Sequence, residues 1–284
     1  MVNIFRCLVR EDIPVSRIIL GAPTGRAAQR MTETVQNNIA SIPELSAKDS
    51  ALLDLKGSTL HKILGYRSYQ HEFYYRETNP LPASVVVVDE VSMVDVVMLD
   101  KFLQAIDPAQ TKLILLGDKN QLPSVEAGAV FAEMIPDGTR AAGFEERFVI
   151  LQKVYRSGTN LLELANQANQ GSFPPFKAAA FDKALLQASD QWAFVNAESF
   201  SRWQEHLHQW VKVQYLSPIS GGAESYAALI TRAGKMTADN IASSKGGRCL
   251  LNRIFSVVER ARILSVLRNG MYGCTVINDV IADQ

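Results

Sequence analysis

Residues 84–88 read Ser-Val-Val-Val-Val, and the run stops at Asp89-Glu90. A strand carrying β-branched residues on both faces has to be covered on both sides, as in the interior of a parallel sheet. Parallel strands need crossover connections, usually helical, and these run right-handed. A second apolar run, Lys112–Leu116 (KLILL), ends in Gly117-Asp118. The stretch between, about Val94–Ile106, has helical spacing, so the pair reads as a strand–helix–strand unit. Arg17–Ala22 (RIILGA) is an earlier short strand, closed by Gly21 and Pro23. From Thr24 to about Ile39 a helix places Ala27, Ala28, Met31 and Val35 on one face.

The rest of the chain is read with less contrast. Glu44–Leu55 predicts a short helix, Thr59–Leu64 a helical turn stopped by Gly65, and Tyr66–Pro82 a mostly loop stretch rich in aromatic residues. Those aromatics (Tyr66, Tyr69, Phe73, Tyr74, Tyr75) either pack a loop subdomain or offer faces to nucleic-acid bases. Ala127–Met134 reads as helix and Phe148–Leu151 as a strand leading to Tyr155-Arg156. Beyond about residue 157 the strand–helix rhythm gives way. Leu161–Gln170 is helical and is broken at Gly171-Ser-Phe-Pro-Pro. Trp192–Val195 reads as a short strand and Arg202–Val213 as an amphipathic helix. Residues 216–222 and 243–247 read as loops, and Leu251–Leu267 and Cys274–Ala282 as helices. The expected organisation is an α/β parallel-sheet domain over residues 1–155 and a mostly helical region over 156–284.

Composition sets outer limits. A chain of 284 residues with 47% hydrophobic content supports a sizeable core and excludes general disorder. Lys+Arg and Asp+Glu both number 29, which excludes a globally basic coat but not a local basic stripe. One such stripe is present. Between Arg232 and Arg268 stand eight basic residues (Arg232, Lys235, Lys245, Arg248, Arg253, Arg260, Arg262, Arg268) against Asp239 and Glu259. A solvated helix face, a subunit contact or a DNA-backbone contact would each produce such a run. Cys7, Cys249 and Cys274 are far apart and form no CxxC pair, so a reducing cytoplasm is the expected location. No apolar run approaches a membrane span, and the charged start lacks a signal-peptide layout. His206 and His208 are two residues apart, unlike the i, i+4 pair of a helical zinc site.

Four strings carry chemistry. VVVVDE places two acids at the carboxyl end of a buried strand, the Walker B arrangement, where Asp89 holds Mg²⁺ through water and Glu90 orients or deprotonates the attacking water. Gly117-Asp118-Lys119-Asn120-Gln121 follows the next strand, and the Gln121 amide can donate to a phosphate oxygen and accept from water. Gly21-Ala22-Pro23-Thr24-Gly25-Arg26 joins a strand to a helix N-terminus, where free backbone N–H groups favour a phosphate. Tyr155-Arg156-Ser157 sets an Arg at the expected domain boundary, within reach of a triphosphate across a cleft. Each string taken alone has a plain structural explanation as a turn, a cap or a solvated cation.

Taken in order, the strings resemble the RecD group of superfamily 1 DNA helicases, the α subunit of exodeoxyribonuclease V. The matching stretches are LGAPTGRAAQRM (20–31), STLHKILG (58–65), VVVVDEVSMVD (85–95), LLGDKNQLPSVEAGAVFAEM (115–134) and VYRSGTNLLELANQANQG (154–171), with RARILSVLRNGMYGCTVIND (260–279) less sharp. The resemblance implies a RecA-like fold of the P-loop NTPase type. It also implies ATP-dependent helicase activity in double-strand break repair and recombination, and partners in single-stranded DNA and the other subunits of a RecBCD-like complex. By resemblance, Asp89 and Glu90 serve Mg²⁺ and water, Gln121 couples the γ-phosphate to the DNA track, and Arg156 contacts that phosphate. Pro23, Thr24, Arg26, Thr59 and His61 are placed near single-stranded DNA.

One element of that family is not in the string. No GxxxxGK[ST] precedes Gly21, and later motifs of a second motor domain are not recognised before Gln284. The expectation is therefore an incomplete motor that needs ATP and Mg²⁺ when intact. By itself the chain is expected to bind neither and to hydrolyse ATP negligibly. The alternative is a non-catalytic module that binds DNA or partner subunits without turnover, and a related conjugative or phage-type helicase is a third possibility.

Overall fold

The computed structural model describes residues 2–121, 130–135, 147–151, 159–172, 194–218 and 224–283. The chain divides into two units, residues 1–152 and 153–284.

The first unit is built on four parallel strands: β1 (Ile18–Ala22), β2 (Gly57–Thr59), β5 (Val85–Val88) and β6 (Lys112–Leu115), in the order β2-β1-β5-β6. Two short strands, β3 (Tyr66–Arg67) and β4 (Glu72–Phe73), pair antiparallel as a separate hairpin. The helices are α1 (Val2–Arg10), α2 (Gly25–Ala40), α3 (Ala47–Ala51), α4 (Leu60–Ile63), α5 (Val96–Gln104) and α6 (Val130–Met134). The four valines behave as their chemistry requires. Val85 and Val87 join a core with Ile18, Leu20 and Ala22 of β1, Phe5 and Val9 of α1, and Met31, Val35 and Ile39 of α2. Val86 and Val88 point into a second core with Leu60, Leu64, Leu99 and Phe102. All four are buried. The arrangement is an α/β, RecA-like parallel sheet with helices on both faces.

Local signals explain most element ends. Thr24, Ser46, Thr59 and Asp95 cap α2, α3, α4 and α5, each accepting from a backbone N–H three residues on. β2 lies close against α2 because position 57 carries no side chain. A Cβ on Gly57 would sit 2.4 Å from the Ala28 carbonyl oxygen. The contact is completed by Thr32, whose hydroxyl donates to Ala28 O (3.0 Å) and accepts from Gly57 N (2.9 Å).

α1 is tied to α3 by a buried acid. Arg6 Nε donates to Asp49 Oδ1 (2.9 Å) and Arg6 Nη2 to Asp49 Oδ2 (3.2 Å), with Arg10 Nη2 at 3.7 Å. The Arg6 hydrogen bond holds the Asp49 carboxyl far below the usual carboxylate range, against the opposing effect of burial. Asp49 therefore stabilises the fold above its unfolded pKa of about 3.9, and that contribution disappears as pH falls through the lower folded value. Asp49→Asn is expected to lower the melting temperature at pH 7, with a deficit that shrinks progressively as pH falls from about 4 towards 2. Melting curves across that range check it, and a deficit that stays constant with pH refutes the linkage.

The sequence-based boundaries need corrections. Tyr66–Pro82 is mostly loop, as expected, and holds the two-residue strands of the β3–β4 hairpin. Glu44–Leu55 resolves into α3 and a 3₁₀ turn at Leu52–Asp54. Residues 148–151 carry no regular structure, so the strand expected there is absent; Val149, Ile150 and Leu151 stand exposed while Phe148 is half-buried.

The described helices of the second unit are α7 (Thr159–Asn169), α8 (Phe200–Val211) running into a π-type turn at Lys212–Leu216, α9 (Tyr226–Gly234), α10 (Ala238–Ser243), α11 (Lys245–Arg260) and α12 (Cys274–Ala282). Leu229 of α9 packs with Leu250, Ile254 and Val257 of α11, and Leu207 of α8 packs with Ile277 and Val280 of α12. Two expectations fail here. Residues 243–247 are not loop: Ser244 caps α11 and accepts from Gly247 N (2.9 Å). Gly247 brings α11 against α10, where a Cβ would lie 2.4 Å from the carbonyl oxygens of Asn240 and Ile241. At the other end the helix stops at Arg260 rather than continuing to Leu267. Arg260 Nη2 donates to Gln214 O (2.7 Å), Tyr215 OH donates to Ala261 O (3.1 Å), and Ala261 turns to extended backbone. Of the strand expected at 192–195, residues 192 and 193 lie outside the described residues, Phe194 forms a single β-bridge and Val195 has no regular structure.

Candidate functional site

All four strands run parallel, so their carboxyl ends share one edge. The register fixes which residues meet there: Ala22 lies beside Thr59, Gly21 beside Val88, and Val88 beside Leu115. Just past those positions come Pro23-Thr24, Asp89-Glu90 and the 116–121 loop. From β2 to β6 the edge spans three inter-strand steps, about 14 Å. Chain direction adds a further constraint. β1 continues through α2 to β2 on one side, whereas β5 continues through α5 to β6 on the other. The two helices cover opposite faces of the sheet. The crevice between β1 and β5 is thus the topological switch point, where open α/β sheets bind ligands.

Asp89 sits at that crevice. Its backbone N–H donates to Gly21 O (2.9 Å), which seams β5 to β1 one residue past the ladder. Its Oδ1 accepts from Glu90 N (2.9 Å). Glu90 has left-handed backbone, φ 56° and ψ 38°. That conformation costs a non-glycine residue about 1–2 kcal/mol. The surrounding turn enforces it: Val91 N donates to Leu116 O (3.0 Å) and Met93 N to Glu90 O (3.0 Å). Among the described residues neither acid is in an ion pair, and both are only partly buried. Two carboxylates with open oxygens at a sheet edge suit a hydrated divalent cation and a water to be activated.

The other expected residues fall along the same edge or close to it. Thr24 and Thr59 both act as caps, accepting from Ala27 N (3.2 Å) and Lys62 N (3.4 Å). Capping uses the acceptor side of each hydroxyl and leaves its proton free to donate to a phosphate. Pro23 is partly buried and Arg26 is exposed on the first turn of α2. His61 stands exposed on α4, edge-on to Tyr66 at 5.5 Å and 6.0 Å from Phe73. It joins the site edge to the β3–β4 hairpin, whose Tyr69 is 77% exposed. Part of the aromatic loop packs, through Tyr66 and Phe73 against His61, and part faces solvent. Gln121 is exposed in a turn organised by Asp118, which accepts from Asn120 N at Oδ1 (2.9 Å) and from Gln121 N at its carbonyl (3.2 Å). Arg156 lies outside the described residues, as do 122–129.

Two features of the site were not legible in the sequence. The left-handed Glu90 has no signal, because Glu is not a residue that favours that region. Ser92 follows in the same turn, buried, its hydroxyl without a hydrogen-bond partner among the described residues. A lone serine in an apolar run gives no warning of this.

Comparison with known proteins agrees with the geometry. Residues 1–127 match the AAA domain family. The chain is 40% identical over 159 residues to the RecBCD enzyme subunit RecD of Mycolicibacterium smegmatis, covering 56% of this chain and 27% of that protein. It is 41% identical over 137 residues to the RecD subunit of Haemophilus influenzae, covering 47% of this chain and 21% of that one. It is 33% identical over 109 residues to the ATP-dependent RecD2 DNA helicase of Deinococcus radiodurans, covering 38% of this chain and 12% of that helicase. The matched region thus spans about a quarter or less of each relative's length. With Asp89 and Glu90 at a sheet switch point, an AAA domain match over residues 1–127 and these relatives, the first part of the chain is similar to RecD helicase subunits.

Proposed function

We propose that this chain is part of the motor of an ATP-dependent DNA helicase acting in a RecBCD-type exodeoxyribonuclease V during double-strand break repair and recombination, in the cytoplasm. The observation that carries this is the placement of Asp89 and Glu90 at the β1/β5 switch point, with Thr24, Arg26, Thr59 and Gln121 distributed along the same edge. Residues 1–155 supply the first RecA-like domain, and 156–284 lead towards the second.

The residues present fit one side of a magnesium–ATP site. Asp89 keeps an oxygen free for the cation's water shell, and no ion pair among the described residues competes for it. Mg²⁺–ATP, when bound, supplies the transferable phosphoryl group and the charge that Asp89 compensates. Glu90 takes the proton of the attacking water. Gln121 couples the γ-phosphate to the DNA track, and Arg156, outside the described residues, contacts that phosphate. Thr24, Arg26, Thr59 and His61 hold the backbone of single-stranded DNA along the outer edge. The phosphate cradle itself, GxxxxGK[ST], is not among the 284 residues. No described helix is long and apolar enough to cross a membrane.

Two measurements test the proposal. The isolated chain is expected to show no ATP hydrolysis above background with or without single-stranded DNA; DNA-stimulated turnover overturns the assignment of an incomplete phosphate site. Arg26→Gln is expected to leave the melting temperature unchanged, since Arg26 is exposed and unpaired among the described residues. It should weaken single-stranded DNA binding and reduce the salt slope of the binding constant by about 0.7. An unchanged slope removes Arg26 from the DNA edge.

A further inference from the structure

The basic stripe of the second unit is sorted by the fold into engaged and free cations. Arg232 Nη1 lies 2.8 Å from Glu224 Oε2, and Arg253 Nη1 lies 3.8 Å from the same oxygen. Arg260 is spent on Gln214, with 2.7 Å to its carbonyl and 3.2 Å to its side-chain oxygen. Lys245 and Arg248 are exposed and carry no acid partner among the described residues. Both stand on α11, whose opposite face buries Gly247, Leu250, Ile254 and Val257.

The outward face has an ordered composition. Lys245, Arg248, Asn252 and Phe255 follow at spacings of three, four and three, which keeps them on one side of a helix. Lys245 to Phe255 spans about 15 Å along the axis. Phe255 is 60% exposed. One exposed phenylalanine is ordinary by itself. Here it extends a row of two cations and an amide, and Glu259 closes the row one turn later. A protein-docking face would be expected to present several apolar side chains, and along this row there is one. Cations for phosphates, an amide for hydrogen bonds and a flat ring for stacking are the parts of a single-strand contact.

We propose that this face of α11 binds single-stranded nucleic acid, with Lys245 and Arg248 on backbone phosphates, Asn252 hydrogen-bonding a sugar or base, and Phe255 stacking on a base. The surface is separate in sequence and unit from the Arg26 edge, so each is tested by its own variant. The experiment is fluorescence anisotropy of the full chain with labelled oligo-dT at several salt concentrations, using wild type, Lys245→Gln/Arg248→Gln, Phe255→Ala and Arg26→Gln. All four altered residues are exposed, and circular dichroism melting verifies that each variant folds. The double variant is expected to bind at least about tenfold more weakly at low salt and to lose about 1.4 from the salt slope. Phe255→Ala is expected to weaken binding about tenfold with the slope unchanged, as for loss of one stacked base. An unchanged affinity in either of these, or tighter binding to duplex than to oligo-dT, overturns the inference. A loss confined to Arg26→Gln leaves the edge assignment standing and removes this one. A loss confined to the α11 variants does the reverse.

Discussion

Preceded by a strand–GxxxxGK[ST]–helix unit, the chain is expected to hydrolyse ATP in the presence of single-stranded DNA, and Glu90→Gln to slow that hydrolysis about 10²–10⁴-fold. The supplied unit brings the lysine and hydroxyl that cradle phosphates, and the chain brings the acids. Glu90 is the residue to alter because its backbone is held left-handed by three hydrogen bonds that do not involve its side chain. Glutamine therefore keeps the turn and loses only the base. Nucleotide binding should persist, so the loss appears in kcat and leaves KM nearly unchanged. Asp89→Asn should behave differently, raising the magnesium concentration needed for half-maximal rate. A Glu90→Gln rate within tenfold of the parent, or a defect confined to KM, refutes the assignment of Glu90 as base.

Gly57→Ala should unfold the first unit more readily than any surface change. The new methyl would overlap Ala28 O at 2.4 Å and crowd Ala28 C and Cα at 3.1 and 3.2 Å. These are backbone atoms in the first turns of α2, so no side chain can rotate away. β2 and α2 have to separate, and the Gly57 N–Thr32 Oγ1 bond goes with them. The expected cost is about 3 kcal/mol, at the upper end of overpacking penalties. Because β2 also carries Thr59 onto the site edge, the same variant should weaken single-stranded DNA binding. Thr32→Ser, which keeps the hydroxyl, should lose far less. Urea or thermal unfolding of the three proteins decides it. A Gly57→Ala chain as stable as wild type rejects the tight β2–α2 contact.

Much of the first unit was open to sequence reading because its signals are local and strong. Four valines in succession require a strand with two covered faces. Thr24 and Thr59 stand where caps are needed, and Asp89-Glu90 and Gly117-Asp118 mark where strands stop. The helical region was harder. Lys245-Gly246-Gly247 carries the residues of a loop, and helix propensity counts against two glycines. The close crossing of α10 outweighs that propensity, and only Gly fits there. The end of α11 was missed for the opposite reason. Residues 261–267 are apolar enough to continue a helix, but Tyr215 and Arg260, bound to partners 46 residues away, end it at Arg260.

The amino-acid sequence determined the strand and helix types of the sheet unit, the acids at the strand ends and the family they resemble, since periodicity, caps and motif spacing act over a few residues. Only the tertiary structure decided the order β2-β1-β5-β6 and with it the switch point that gathers Pro23, Thr24 and Asp89 into one crevice. It also placed Glu90 in left-handed backbone, buried the Asp49 carboxylate under Arg6, and separated the engaged cations of residues 232–268 from the free ones. Each of these depends on residues distant in the chain meeting across a packed core, and no local pattern encodes which partner a strand edge or a guanidinium will find.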